Sequence, residues 1–250
     1  MTPEDLYLQA VINRHRAADD DAPHRLRRQL EPFLRAWVKD SMISPHLESV
    51  TLSGSHPKST ALRDSDVDIF LSLSPNTPGP LTEIHASLAA HFRDSLPRPR
   101  NVSLRIQFQN TTIDLVPARR RPNSTHHTLW QLRFNTWLQT DVAEQTRHVR
   151  DSRLTNEIIA LKLWTRRHTL KFPSFLQELV TIRAITPNRP IAESFLRLLE
   201  FIASSFPNVR LEDPANSNNV VSDLLTPDEK FRIAIAAERS LSAHAWPDLV

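Results

Sequence analysis

The chain has 250 residues, of which 40% are hydrophobic and 24% are charged. This composition suits one large domain or two small lobes and excludes disordered and membrane-embedded classes. The chain has no cysteine, which excludes a disulfide framework, a thiolate metal site and a cysteine nucleophile. The net charge of +3 is only mildly basic. No apolar run reaches membrane-helix length and no signal-peptide pattern is present, so we expect a cytoplasmic protein with no membrane partner.

Two helices are predicted before the first strand. Thr2 has the character of an N-cap, and Pro3 follows at the first helical position. A second stripe of apolar residues at helical spacing runs over 26–37 and contains Pro32. A proline inside a helical pattern predicts either a kink or the true start of that helix.

From about residue 49 the spacing of apolar residues changes to two, which is typical of strands. The predicted strands cover 50–53, 66–73, 102–108 and 112–116. A helix is expected over roughly 81–94, and Asn110-Thr111 predicts a tight turn between the last two strands. These elements indicate a mixed, strongly twisted sheet with a hairpin.

From about residue 124 the chain is predicted to be helical. A helix is expected over 155–169, and capping boxes at Ser174–Gln177 and Thr226–Glu229 predict the starts of two further helices. The basic, proline-containing segment 119–122 is the expected hinge between lobes. We therefore divide the chain into residues 1–122, with the N-terminal helices and the catalytic sheet, and residues 123–250, a helical lobe completing a nucleotide cleft.

Asp66, Asp68 and Asp114 are the candidate catalytic and metal-binding residues. Asp66 and Asp68 are two apart on a predicted strand, so both side chains leave the same face. The opposite face carries Val67, Ile69 and Leu71, which we expect to be the core side. Side-by-side carboxylates repel unless a cation lies between them. A pair of magnesium ions, with manganese as a substitute, relieves this repulsion and supports in-line phosphoryl displacement.

Asp114 lies between Ile113 and Leu115, which take the core side of the last strand. Asp114 therefore points to the opposite face, and the three carboxylates converge if the two strands are neighbours. A single aspartate in a strand is more often a bulge or an edge residue. Three of them together favour a metal site, because strands generally avoid aspartate.

Gly54-Ser55 ends the first predicted strand and opens a loop that contains Lys58, Ser59 and Thr60. Such a loop can present backbone N–H groups, a hydroxyl and a lysine to a triphosphate. An ordinary strand-to-helix turn is the alternative. The carboxylates a dozen residues downstream favour the phosphate-binding interpretation.

The run from Gly54-Ser55 to Asp66-Val67-Asp68 resembles the active-site motif of the DNA polymerase β-like nucleotidyltransferases. It is most similar to the branch of oligoadenylate synthetases, cyclic GMP–AMP synthase and the bacterial cyclic-oligonucleotide synthases, the CD-NTases. Further matching segments are Ile113 to Ala118, Ala160 to Trp164, Pro173 to Leu179 and Asp213 to Asn216. The resemblance extends over roughly 45–225. Ser59 stands where the family loop usually has a second glycine.

The resemblance implies an α+β, two-lobed nucleotidyltransferase with a twisted sheet lobe and a helical lobe. It assigns the metals to the three aspartates and implies that Lys162 and Ser174 join Gly54, Ser55, Lys58 and Thr60 in binding the nucleotide. The expected reaction joins nucleoside triphosphates, foremost ATP, into a short cyclic or linear second messenger and releases pyrophosphate. The product is expected to be read by a separate effector in bacterial antiphage defence.

Two alternatives remain open at this stage. The same chemistry could extend a nucleic-acid 3′ end or a protein hydroxyl. Clustered arginines such as 119–121 would then bind phosphates, although they could equally be ordinary solvent-exposed residues. Nucleic acid is thus an allowed but not a required partner. A catalytically inactive nucleotide-binding module is the third hypothesis, and the retained set of three aspartates argues against it.

Overall fold

The structure is a computed structural model that describes residues 1–18, 20–41, 45–243 and 245–250. The chain forms two compact units. The sheet unit comprises Ala18–Pro57 and Asp64–Thr146. The helical unit comprises Met1–Ala17, Lys58–Arg63 and Arg147–Val250. The loop 58–63 therefore packs with the helices, although the strands on either side of it belong to the sheet unit.

The described part of the sheet unit contains two complete α-helices and a mixed sheet. Its elements are α2 (Ala22–Asp40), β1 (Leu47–Ser53), β2 (Val67–Leu73), α3 (Leu81–His91), β3 (Arg98–Pro99), β4 (Leu104–Phe108), β5 (Thr111–Arg120), β6 (His127–Gln131) and β7 (Thr136–Thr140). The strand order is β1-β2-β5-β4-β3, and β6 pairs with both β5 and β7. The β2–β5 pair is parallel, whereas the pairings of β1 with β2 and of β4 with β5 are antiparallel.

One face of this sheet is covered by α2 and α3. Val67, Ile69 and Leu71 of β2 lie in the same buried cluster as apolar residues of both helices. This confirms the prediction that these three residues define the core side of β2. Pro32 lies inside α2 and does not mark its start, because the helix begins at Ala22.

The segment 127–140 corrects the sequence prediction. It was expected to be helical, but β6 and β7 form an antiparallel hairpin that extends the sheet. The residues Thr128, Trp130, Thr136 and Trp137 have high strand propensity, and Asn135 takes a positive φ in the connecting turn. The expected hinge also begins within a strand, since Arg119 and Arg120 belong to β5 and pair with β6.

The helical unit is built from α1 and the C-terminal helices. Its elements are α1 (Pro3–His15), α4 (Val142–Ser152), which starts just before the unit, α5 (Thr155–Arg167), α6 (Ser174–Ala184), α7 (Ile191–Ser204), β8 (Glu212–Asp213), β9 (Asn216–Val220), α8 (Pro227–Leu241) and α9 (Trp246–Leu249). A single buried cluster joins α1 and α5 to α9 and includes Trp164 and Phe195. None of the helices in the described part of the chain combines the length and apolar character required to cross a membrane.

The helix starts test three capping predictions. Thr2 caps α1 and Thr226 caps α8, each in a complete capping box. The predicted box at Ser174 is wrong, because Pro173 occupies the N-cap position of α6 and no side chain caps this helix. Gln177 instead donates its side-chain amide to the carbonyl of Phe172 at 2.7 Å.

Burial of His85 on α3 predicts an acid-sensitive fold. Its Nε2 atom is buried without a partner among the described residues, and burial lowers the pKa of His85 to about 4. Between pH 6.5 and 4 the imidazole of His85 is therefore protonated in the unfolded chain but neutral in the folded chain. The free energy of unfolding consequently falls as the pH falls. The full difference amounts to about 3 kcal/mol.

We expect His85→Phe to reduce the loss of stability between pH 6.5 and 4, measured by urea unfolding across that range. His24→Phe is the matched control, because His24 is exposed on α2. Equal acid sensitivity of the wild type and His85→Phe would contradict the assignment.

Candidate active site

The candidate site is a row of polar residues that crosses four strands of the sheet unit. Ser53 of β1 is the register partner of Asp68 in β2, and Asp68 is the register partner of Asp114 in β5. Arg105 of β4 is in turn the partner of Asp114. Residues directly opposite each other on paired strands share a face of the sheet, so β2 and β5 present Asp68 and Asp114 side by side.

The two strands are neighbours, as convergence of the carboxylates required. Asp66 lies one residue before β2, which begins at Val67. Its carboxylate is also brought to the row, because Arg105 bonds to both Asp66 and Asp114. Asp66 and Asp114 therefore share the guanidinium of Arg105 as their partner, and Asp68 lies in register with Asp114.

Arg105 provides the positive charge in this row. Its Nε donates to Asp114 Oδ1 at 2.9 Å and its Nη2 donates to Asp114 Oδ2 at 2.8 Å. Nη2 also donates to Asp66 Oδ2. The hydrogen bonds to Asp114, followed by the charges of both aspartates, raise the pKa of Arg105, and its guanidinium therefore stays charged.

Gly54 lies against the carboxylate of Asp68. A Cβ atom at position 54 would lie 1.9 Å from Asp68 Oδ2, and Gly54 has a φ of +65°. Only glycine satisfies both the left-handed backbone and the absence of a side chain here. The Gly54-Ser55 turn is thus fitted to Asp68. Ser59, in place of the family glycine, also has a positive φ of 59°.

The carboxylates suit divalent cations by their chemistry. Carboxylate oxygens are preferred magnesium ligands, and the guanidinium of Arg105 shows that the row attracts positive charge. In the present arrangement the described residues contain no ready-made group of three metal-ligating side chains. The carboxylates are of the ligand type that magnesium prefers, and in this structure Arg105 supplies the countercharge.

The helical unit holds a separate buried network of the predicted nucleotide-binding residues. Lys58 Nζ donates to Glu178 Oε2 at 2.8 Å, and Thr60 Oγ1 donates to Glu178 Oε1 at 3.1 Å. Lys162 Nζ donates to the carbonyl of Thr60 at 3.0 Å and lies 3.7 Å from Glu178 Oε1. Lys58 Nζ also lies 4.7 Å from the ring centroid of Phe175. Lys58, Thr60 and Lys162 are therefore brought together around one carboxylate.

The remaining predicted residues have simpler surroundings. Ser55 is half-buried in the turn after β1, and Ser174 is exposed as the first residue of α6. Asp213 is buried and accepts hydrogen bonds from the backbone of Ala215 and the side chain of Asn219. In this structure Asp213 thus stabilises the β8–β9 turn.

Two residues of these sites were missed by the sequence prediction, namely Arg105 and Glu178. Counting outward from a two-residue turn identifies the partner of Asp114, but the turn was predicted one residue too late. The positive φ values fall on Gln109 and Asn110, which pairs Asp114 with Arg105; a turn at 110–111 would have paired it with Gln107. Glu178 could have been found as an acid between Leu176 and Leu179 in a mostly apolar helix.

Comparisons with known proteins bear on the fold. No protein-family model matches this chain, and no curated protein matches it by sequence. Among solved structures, CdnC of E. coli MS115-1, solved with ATP, aligns with a TM-score of 0.75 at 18% identity over 94% of this chain and 89% of that chain. CdnG, a CD-NTase of Bradyrhizobium diazoefficiens solved with GTP, gives 0.71 at 11% identity over 96% and 91%.

The Cid1 poly(U) polymerase aligns with a TM-score of 0.61 at 13% identity over 98% of this chain and 95% of that chain. The chain has the polymerase β-like nucleotidyltransferase fold. This confirms the predicted α+β fold class and, at the level of the fold, the resemblance to the CD-NTases. In this fold the carboxylates of Asp68 and Asp114 lie on the two neighbouring strands β2 and β5.

Gly54→Ala tests the contact with Asp68, and Gly79→Ala is its matched control. These are the only two glycines in the sequence, and both have a positive φ. Each substitution is expected to lower the free energy of unfolding by about 1 kcal/mol through the left-handed backbone. Only Gly54→Ala also displaces the Asp68 carboxylate. We expect pyrophosphate release from nucleoside triphosphates to fall at least ~100-fold for Gly54→Ala alone; equal activity of the two variants would contradict this.

Glu178→Gln tests the buried network. It leaves Lys58 and Lys162 without their countercharge while both are at most 6% exposed. Uncompensated buried charges typically cost about 3–5 kcal/mol, and we expect a loss of this size in urea unfolding. Glu193→Gln removes an exposed pair with Arg189 and Arg197, for which the expected loss is much smaller because solvent screens exposed ion pairs. Similar losses in the two variants would show that the network contributes little.

Proposed function

We propose that this protein is a magnesium-dependent nucleotidyltransferase that joins nucleoside triphosphates, ATP foremost, into a short cyclic or linear oligonucleotide and releases pyrophosphate. We further propose that the product is a second messenger in bacterial antiphage defence, read by a separate effector protein. The support comes from a carboxylate row on a nucleotidyltransferase fold, together with solved structures of similar fold that contain nucleotides.

The placement of Asp68 opposite Asp114 carries this proposal. Parallel pairing of β2 and β5 sets the two carboxylates in one register row, with Asp66 bonded to the same arginine. Most folds avoid such a concentration of negative charge, because each carboxylate disfavours ionisation of the next. A reaction that uses cations to neutralise a triphosphate is a specific reason to retain it.

The proposed roles follow from this placement. Asp66 and Asp68 would hold both magnesium ions, and Asp114 would complete the site on the side of the acceptor hydroxyl. Bound magnesium supplies charge neutralisation at the α-phosphate and a lower pKa for the acceptor hydroxyl. The hydroxyl oxygen would then bond to the α-phosphorus as the bond to pyrophosphate breaks, and the hydroxyl proton would be released to solvent. The contribution of the chain is to orient these groups and to stabilise developing charge.

The phosphate contacts are part of the same proposal. Gly54 and Ser55 offer backbone N–H groups and a hydroxyl beside Asp68, as their position in the turn suggests. In the helical unit, Lys58 and Lys162 carry two positive charges against the single charge of Glu178. Lysine side chains and hydroxyls are suitable phosphate ligands, and we propose that Lys58, Thr60, Lys162 and Ser174 bind nucleotide phosphates.

A second candidate uses the same chemistry on another acceptor, namely a nucleic-acid 3′ end or a protein hydroxyl. The similarity in fold to the Cid1 poly(U) polymerase supports this candidate. A nucleotide-binding module without activity is the third. The acceptor separates the first two, and turnover separates both of them from the third.

Product analysis tests the proposal directly. Purified protein is incubated with single and mixed nucleoside and deoxynucleoside triphosphates, Mg²⁺ or Mn²⁺ and no polymer, and the products are identified by mass spectrometry. We expect free cyclic or linear oligonucleotides and stoichiometric pyrophosphate. Nucleotides attached to the protein, or products only after a primer is added, support the second candidate. Absence of pyrophosphate under every combination supports the third.

Asp68→Asn ties the activity to the carboxylate row. It removes one charge with little change in shape, and we expect pyrophosphate release to fall to background while the circular dichroism spectrum is retained. Asp94→Asn is the matched control, since Asp94 is exposed in the same unit. Wild-type turnover by Asp68→Asn would refute the assigned site.

A further inference from the structure

Arg105 forms hydrogen bonds with the carboxylate oxygens that would be the ligands of a divalent cation. Its guanidinium engages both oxygens of Asp114, at 2.9 and 2.8 Å, and also bonds Asp66 Oδ2. One planar, permanently charged group thus joins two of the three carboxylates. A fork of this kind matches a carboxylate in two parallel hydrogen bonds.

The backbone fixes Arg105 in this position. Arg105 is opposite Asp114 in the antiparallel β4–β5 pair, and the two-residue turn at Gln109 and Asn110 sets that register. Leu104 and Ile106, its neighbours along β4, are buried in the core of the sheet unit. The strand therefore cannot shift by one residue without exposing its core side chains. Arg105 must face the carboxylates.

A guanidinium and a divalent cation compete for this row. Each neutralises the carboxylates, and each repels the other at short range. The side chain of Asp66 is 38% exposed, whereas that of Asp114 is 11% exposed. Solvent and ions therefore reach the hydrogen bond to Asp66 more readily. The pair of hydrogen bonds to Asp114 is more protected.

We propose that Arg105 is a positioning residue that holds Asp66 and Asp114 together while no divalent cation is bound, and that releases Asp66 when a cation enters. The inference rests on the metal site of the proposed function. Arg105 then has two opposite effects. It stabilises the metal-free fold by offsetting carboxylate repulsion, and it weakens metal binding by holding the ligand atoms.

Binding of Mn²⁺ in the absence of nucleotide tests this, with the free ion measured by electron paramagnetic resonance. For Arg105→Gln we expect roughly tenfold tighter Mn²⁺ binding than for the wild type. We also expect a lower melting temperature without metal and a smaller difference from the wild type at saturating Mn²⁺, because binding stabilises the folded state. Mn²⁺ affinity equal to or weaker than that of the wild type overturns the inference.

Arg98→Gln is the matched control for long-range charge. Arg98 on β3 is exposed and is the register partner of Arg105, so the variant removes the same charge one strand away. Its Mn²⁺ affinity is expected to change less than about twofold. A gain equal to that of Arg105→Gln would assign the effect to net charge and overturn the inference.

Two further variants complete the test. Arg105→Lys keeps the charge but loses the two parallel hydrogen bonds. We expect its Mn²⁺ affinity to lie between those of the wild type and Arg105→Gln. If Arg105→Gln does not fold, a Mn²⁺ affinity of Arg105→Lys equal to that of the wild type overturns the inference. In the double variant with Asp114→Asn the gain should disappear, and its persistence places the metal elsewhere and overturns the inference.

The result is independent of catalysis. Tighter Mn²⁺ binding by Arg105→Gln in a protein that converts no nucleotide supports the role of Arg105 while refuting the proposed function. Product formation by the wild type together with unchanged Mn²⁺ affinity in Arg105→Gln supports the proposed function and refutes the role of Arg105. Absence of measurable Mn²⁺ binding in every variant also overturns the inference.

Discussion

Repulsion among the carboxylates of Asp66, Asp68 and Asp114 is the constraint around which the sheet unit is organised. Parallel pairing of β2 and β5 puts two of them in one register row. Neighbouring carboxylates disfavour each other's charged form, and a nearby cation relieves this. In the structure Arg105 supplies that charge from β4. The register of the β4–β5 hairpin is therefore as important to the site as the aspartates themselves.

The same sheet has two faces with different tasks. Alternate residues of β2 enter the core beneath α2 and α3, and the burial of that face holds the strands in register. On the other face, Phe70 and Val116 lie one step beyond the acidic row in a small apolar cluster with Ala118 and Leu129. Apolar contacts on both faces thus keep the carboxylates from relaxing apart.

In the helical unit the buried charges are positive, and a carboxylate compensates them. Lys58 and Lys162 are buried, and Glu178 and Thr60 supply their partners. Burying these charges is acceptable because each has hydrogen-bonding partners. The convergence of two lysines and a hydroxyl on one carboxylate is the basis for proposing phosphate contacts there.

The sequence by itself determined the fold class, the core side of β2 and the common face of Asp68 and Asp114, because strand periodicity fixes which residues share a face. Gly54 could likewise be singled out in a chain with only two glycines. The partner of Asp114 follows from the exact position of the β4–β5 turn, which was predicted one residue too late. The β6–β7 hairpin and the role of Glu178 were decided by tertiary structure. The hairpin extends a sheet by pairing with β5, and Glu178 contacts residues far away in the chain, such as Lys58; no local pattern specifies such pairings.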